Sequence, residues 1–218
     1  TTGASNTAVG MSSMAANTTG NDNAVVGKQA LATNTTGSSN VVVGNVAMYA
    51  NTTGTQNVAV GYDSLRNNTT GTNLTAIGWS ALKSATTTGY SVALGAYALR
   101  DTTTGRNVGV GSFAGYQTTT GTENTFIGDS ASADNTTGSY NVALGYSALN
   151  KNTTGAANTA VGREALNSNT TGASNVASGY SALSANTTGA SNVAVGKDTL
   201  LANTTGANNV AVGKDALN

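Results

Sequence analysis

Short apolar runs alternate with polar turns at a fixed interval along the whole chain. A run such as Asn57-Val58-Ala59-Val60 ends at a glycine, and a small residue followed by a leucine, such as Ala81-Leu82, comes a few residues later. Runs this short that are rich in β-branched side chains are typical of strands and too short for helices. The pattern predicts one short strand in each repeat.

The interval is constant enough to define a repeat. Thirteen copies of the unit TTGxxNVAVGxxALxxN follow one another at a spacing of 17 residues, with one step of 16 between Gly95 and Gly111. A fixed short period of this kind is the mark of a solenoid or a fibre. The sequence therefore predicts an all-β solenoid of about 13 coils that forms a single repeat domain over residues 1–218.

Glycine occupies two fixed places in the unit. These places hold 26 of the 28 glycines, and only Gly109 and Gly115 fall elsewhere. Glycine tolerates a positive φ and allows another backbone to approach closely, so each place is expected to be a corner of one kind or the other. The coil is predicted to turn there.

Two further columns predict what holds the coils together. Eleven of the thirteen units carry leucine or methionine after the small residue, the exceptions being Gly115 and Ser132, and this column predicts a core ladder. An asparagine precedes the strand in eleven units, from Asn6 to Asn209. Stacked amides can hydrogen-bond up and down a column, which favours a polar ladder over any catalytic role.

The faces of the strand predict an assembly. Neighbouring side chains point to opposite faces, and the outer two strand residues, mostly valine, threonine or isoleucine, are expected to face the interior of the coil. The middle residue is never polar; it is usually alanine, as at Ala59 and Ala143. We expect a neighbouring chain to cover this column. The alternative is a monomer in which exposed alanine is harmless.

The phrase NVAVGxxAL after TTGxxN resembles the head repeats of trimeric autotransporter adhesins and the related repeats of phage and viral tail fibre proteins. The resemblance extends over essentially the whole chain. It implies a left-handed β-roll in which three parallel chains wind side by side, and a role in attachment outside the cell, on a cell surface or on a virion. The 17-residue unit is longer than the usual adhesin-head repeat, and no part of residues 1–218 resembles the anchoring or chaperone domains of these families.

One variable column is a candidate contact surface. The place after the second glycine carries aromatic residues at Tyr62, Trp79, Tyr146 and Tyr180, and basic residues in several other coils. Such a row could stack on the sugars of a glycan or meet a cell-surface receptor. The alternative, which we favour, is a solvated face with local pairs such as Arg163-Glu164.

Nine Asn-Thr-Thr triplets match the acceptor pattern for N-glycosylation. They would carry glycans in a eukaryotic secretory pathway and would be turn residues in a bacterium or phage. The asparagines concerned are Asn17, Asn34, Asn51, Asn68, Asn135, Asn152, Asn169, Asn186 and Asn203.

The repeat is irregular between residues 105 and 135. This section loses the leucine column and gains Phe113, Tyr116 and Phe126. The aromatic residues could form a belt that contacts a ligand. Compensatory repacking is favoured instead, with aromatic rings filling the space that Gly115 and Ser132 leave empty.

Composition narrows the possible functions. Nine basic and nine acidic residues give no net charge, so neither nucleic acid nor an anionic membrane surface is an expected partner. The chain has no histidine or cysteine, and its nine carboxylates are spread over several places in the unit. We therefore predict no enzyme activity, no cofactor and no metal. No run is long enough for membrane insertion, and the start at Thr1 in mid-repeat predicts a fragment or a processed product.

Three functions remain after these exclusions. The first is an extracellular structural fibre with an attachment role, an adhesin head or tail fibre shaft assembled as a homotrimer. The second is a filament-forming matrix protein whose copies stack end to end, because an uncapped solenoid can propagate. The third, ranked last, is an ice-binding solenoid, because Thr-Thr-Gly is expected to place its two threonines on different sides of a corner.

Overall fold

The computed structural model describes residues 2–218, which form two compact units, one up to Asn107 and one over Val108–Asn218. The boundary falls inside the single 16-residue step of the repeat. Within the described residues every regular element is a three-residue strand and there is no helix. The prediction of an all-β fold with one strand per repeat is confirmed.

The first unit contains six strands, which pair in parallel in the order of the chain. Each pair joins residues 17 apart, for example Ala59 with Ala76. One strand per coil, stacked on the next coil, is the β-solenoid that the repeat predicts. The strands are β1 (Thr7–Val9), β2 (Ala24–Val26), β3 (Val41–Val43), β4 (Val58–Val60), β5 (Thr75–Ile77) and β6 (Val92–Leu94).

The second unit repeats the design with seven parallel strands in chain order, again with partners 17 residues apart. The winding sense and the number of chains in an assembly stay predictions in both units. The strands are β7 (Val108–Val110), β8 (Thr125–Ile127), β9 (Val142–Leu144), β10 (Thr159–Val161), β11 (Val176–Ser178), β12 (Val193–Val195) and β13 (Val210–Val212).

The prediction of which strand residues face inward is wrong. In every strand except β1 the middle residue is buried in the interior of its own coil, and Ala59 and Ala143 are fully buried. The two outer residues face outward and are half-buried or exposed, as at Val142 and Leu144. The reason is volume, because most coils already hold a buried leucine or methionine, such as Leu149, and two buried asparagines in the interior, which leaves room for a small side chain at the middle place.

The two glycine places of the repeat require glycine for different reasons, one for a positive φ and the other for close approach of neighbouring atoms alone. The glycine after the strand has a positive φ, for example 137° at Gly145, where a Cβ atom would also lie 2.6 Å from the carbonyl oxygen of Gly162. The glycine of Thr-Thr-Gly has no positive φ. At Gly155 a Cβ would instead collide with the side-chain oxygen of Asn152 and the carbonyl oxygen of Gly172.

Left-handed backbone also occurs at residues other than glycine, which the sequence does not predict. The leucine column takes it, with φ of 50° at Leu31 and 45° at Met48. An L-residue in this conformation is disfavoured by about 1–2 kcal/mol. Hydrogen bonds between coils oppose this cost, as where the N–H of Leu31 donates to the carbonyl oxygen of Ala47 at 3.0 Å.

Candidate functional surfaces

The predicted asparagine ladder is confirmed, and it lies inside the coils. The Nδ2 of Asn175 donates to Oδ1 of Asn158 at 3.2 Å and to the carbonyl oxygen of Gly189 at 2.8 Å. The Oδ1 of Asn158 also accepts the backbone N–H of Asn175 at 2.9 Å. Because these amides are fully buried and satisfied, the column holds coils together and offers nothing to a ligand.

A second ladder is formed by the asparagines of the Asn-Thr-Thr triplets. The Nδ2 of Asn169 donates to Oδ1 of Asn152 at 2.9 Å and to the carbonyl oxygen of Gly172 at 2.9 Å. The hypothesis of N-glycosylation at Asn17, Asn34, Asn51, Asn68, Asn135, Asn152, Asn169, Asn186 and Asn203 is therefore wrong for the folded chain. Each of these Nδ2 atoms donates to the glycine carbonyl three residues on, and all but the partly exposed Asn17 and Asn203 are fully buried, so a glycan on that nitrogen would disrupt the coil.

The aromatic row after the second glycine lies on the surface. Tyr62, Trp79, Tyr146 and Tyr180 are between 41% and 54% exposed. Each follows a strand and its corner glycine, and this places successive members about 4.8 Å apart where their coils are adjacent. The structure thus confirms that the column is exposed. The aromatic residues of the row have different neighbours in the first unit and in the second.

In the first unit the row is a pair of adjacent aromatic rings. The ring centroids of Tyr62 and Trp79 lie 4.7 Å apart, and their planes are tilted by 37°. The next residue after Tyr62, Asp63, has a buried carboxylate that accepts from Arg66 at 3.0 Å and lies 2.6 Å from Nζ of Lys83. A fixed cluster of charged groups therefore begins at the residue that follows an exposed tyrosine.

In the second unit the row alternates aromatic and basic residues. The guanidinium of Arg163 lies 5.5 Å from the ring centroid of Tyr146 and 5.7 Å from that of Tyr180, and Nζ of Lys197 lies 5.7 Å from the Tyr180 ring. Arg163 also pairs with Glu164 at 3.1 Å. These contacts are cation–π stacking between coils combined with the local ion pairs that the sequence favours.

The outer strand residues form a surface that sequence reasoning assigned to the interior. We call the first and third residues of all strands the strand face. None of them is charged, and apart from Thr7, Ala24, Thr75, Thr125, Thr159 and Ser178 they are valine, isoleucine or leucine. Several are well exposed, including Ile77 at 41% and Leu144 at 43%. The sequence does show that these positions are apolar. Apolar character alone indicates the interior of the coil, whereas these side chains lie on its outer surface.

The irregular section divides between core and surface. Phe126 is fully buried as the middle residue of β8 and pairs in the sheet with Gly109. The leucine place of its coil is the buried Ser132. Phe113 and Tyr116 lie nearer the surface, with ring centroids 5.4 Å apart. A large ring therefore lies where neighbouring side chains are small, as compensatory repacking predicts.

Residues 2–218 contain no group of three metal-ligating side chains close enough to hold a metal ion. Nor does this part of the chain include any helix with the length and apolar character needed to cross a membrane. The fold defines the chain as a β-solenoid repeat protein. Comparison with models of protein families, with curated proteins and with solved structures finds no match to it.

Proposed function

We propose that the chain is a structural fibre segment with an attachment role outside the cell, on a cell surface or virion, and that it works as a homotrimer. The observation that carries the proposal is the strand face, an uncharged and largely aliphatic surface in each unit. Soluble monomers rarely expose apolar surfaces that continue over many residues, and such surfaces mark sites of protein contact.

A further copy of the same chain is the partner that fits this surface best. The strand face repeats once per coil at about 4.8 Å, and only another solenoid of the same repeat presents matching valines at the same spacing. Surfaces without charge resemble the cores of obligate interfaces between subunits. Three parallel chains is the number that the resemblance to adhesin heads implies.

The attachment role depends on the surfaces that such an assembly leaves open. The aromatic row follows the corner glycine and lies outside the strand face. Exposed aromatic residues on a rigid frame are common at recognition sites. Catalysis is not part of the proposal, because the chain has neither histidine nor cysteine.

The native mass tests the proposal directly. Multi-angle light scattering of the purified chain is expected to give three times the 21.4 kDa of one chain over a wide range of concentration. A mass that grows with concentration, together with long rods in negative-stain images, would favour the filament-forming matrix protein instead. A single-chain mass at every concentration would contradict both assemblies.

Ice binding is a weaker candidate that one observation favours. The second threonine of most Thr-Thr pairs, such as Thr171, is exposed, whereas the first, such as Thr170, uses its hydroxyl to donate to the carbonyl oxygen of Thr187 at 3.1 Å. Only one of the two threonine columns is therefore well exposed, which makes a narrow surface. A thermal hysteresis assay tests this function, and the absence of hysteresis would exclude it.

A further inference from the structure

We propose that Tyr62 and Trp79 form a binding platform for a pyranose ring of a neutral glycan. This inference rests on the attachment role proposed above and names the ligand class for it. It assigns binding to the first unit and not to the whole aromatic row.

The platform has an aromatic surface that neighbouring coils leave uncovered. Trp79, the only tryptophan in the chain, is 54% exposed although it packs against Tyr62. In the next coil the same place in the repeat holds Ala96, whose methyl group is too small to cover an indole ring. More than half of the surface of Trp79 is therefore accessible to a ligand. Flat apolar rings of this kind suit the C–H face of a sugar.

A charged cluster centred on Asp63, the residue after Tyr62, holds polar groups at fixed positions. The carboxylate of Asp63 is held by Arg66 and Lys83, and these two side chains are 41% and 35% exposed. Their remaining N–H groups can donate to hydroxyl oxygens of a sugar. Asp63 offsets one of these two positive charges, which weakens the attraction of the cluster for an anion and leaves its N–H groups as donors to a neutral ligand. A binding site with an aromatic surface and a few fixed polar groups is the usual arrangement for small ligands.

The second unit does not offer the same surface. Tyr180 lies between Arg163 and Lys197, whose cationic groups are both 5.7 Å from its ring. Both faces of that ring are in use, and a sugar would have to displace one of the cations. Tyr180 is 43% exposed, close to the 41% of Tyr62, and is therefore a matched control.

The test uses the intact chain on an array of neutral oligosaccharides built from glucose, galactose, mannose and N-acetylglucosamine, with uronic-acid and sulfated oligosaccharides as the anionic arm. Binding to neutral members is expected. Titration with a retained oligosaccharide should shift the fluorescence of the chain, which has a single tryptophan. Trp79→Ala should weaken binding on the array by about tenfold or more, and Tyr62→Ala should weaken it less.

Each outcome of this experiment supports or overturns the inference. Tyr180→Ala should bind like the unaltered chain, and circular dichroism and light scattering on every variant verify fold and mass. Binding that survives Trp79→Ala, binding to the anionic arm alone, or no binding would overturn the proposal. A trimeric mass without glycan binding would remove this inference and leave the assembly proposal standing. Glycan binding through Trp79 by a monomer would support this inference and contradict the assembly proposal.

Discussion

Asn40 donates from its Nδ2 to Oδ1 of Asn23, one coil away, at 3.0 Å, while its own Oδ1 accepts the backbone N–H of Asn57 in the following coil at 3.0 Å. The Nδ2 of Asn40 also donates to the carbonyl oxygen of Gly54 at 3.0 Å. One buried side chain therefore joins three successive coils. Such a polar column replaces much of the aliphatic core that the composition lacks.

Removal of the Asn40 side chain is expected to destabilise the fold strongly. Asn40→Ala should lower the free energy of unfolding by about 3 kcal/mol, because it removes three hydrogen bonds and leaves the buried backbone N–H of Asn57 unsatisfied. Urea unfolding measures the change. Asn67→Ala is the control, since Asn67 is exposed, and its effect should stay within about 0.5 kcal/mol. Equal effects of the two substitutions would contradict a structural role for the ladder.

The corner glycines predict a difference between two otherwise similar substitutions. Gly145→Ala should lower the free energy of unfolding by about 3 kcal/mol or more, because φ is 137° and the new Cβ would lie 2.6 Å from the carbonyl oxygen of Gly162. Gly213→Ala has comparable φ strain at 124°, but its nearest neighbour is 4.0 Å away, so about 1 kcal/mol is expected. Thermal unfolding compares them. If the two variants lose the same free energy of unfolding, the close approach of neighbouring coils is not the reason that glycine is required at this place.

The strand face predicts a substitution that separates assembly from folding. Val142→Lys should reduce the native mass to that of one chain, because a lysine in an apolar interface is left without a partner. The isolated chain should keep its circular dichroism spectrum, since Val142 is already 39% exposed. Light scattering measures the mass. Thr137→Lys, on an exposed threonine outside the strand face, should leave the mass unchanged. Dissociation by both variants would indicate a general effect of added charge.

The packing of Phe126 against small neighbours predicts coupling between two substitutions. Phe126→Ala should cost about 3–5 kcal/mol, because it leaves a cavity. Ser132→Leu alone should cost about 1–3 kcal/mol by overpacking, although eleven other coils tolerate leucine or methionine at this place with a similar φ. The double variant should recover part of the loss, since the leucine would occupy the space of the ring. Urea unfolding of all four proteins completes the cycle, and additive losses would rule out compensatory repacking.

Periodicity revealed most of the backbone design. A repeat of 17 residues specifies parallel strands in register, because every residue then stacks on its counterpart one coil away, as Ala160 does on Ala177. The same argument predicts ladders, and the one through Asn158 and Asn175 is present. The sequence does not predict the second ladder, which the asparagines of the Asn-Thr-Thr triplets form. These triplets match a glycosylation pattern, and that pattern says nothing about burial.

The inside and the outside of the strand could not be assigned from the pattern. Alternation divides Val142, Ala143 and Leu144 between two faces, but both faces are apolar, so the sequence contains no polar side to mark solvent. On size alone the larger residues, here Val142 and Leu144, are expected in the core. The assignment depends on how much room the coil leaves, and that is set by side chains on the opposite wall, such as Leu149.

The sequence by itself determined the class of fold, the spacing of the coils and the two glycine corners, because these follow from identity at fixed intervals. Only the tertiary structure decided which columns are buried, which asparagines are unavailable for modification and that Tyr180 and Trp79 differ in what covers their rings. Those properties depend on the distance across a coil and on the neighbours one coil above and below, and a linear pattern records neither.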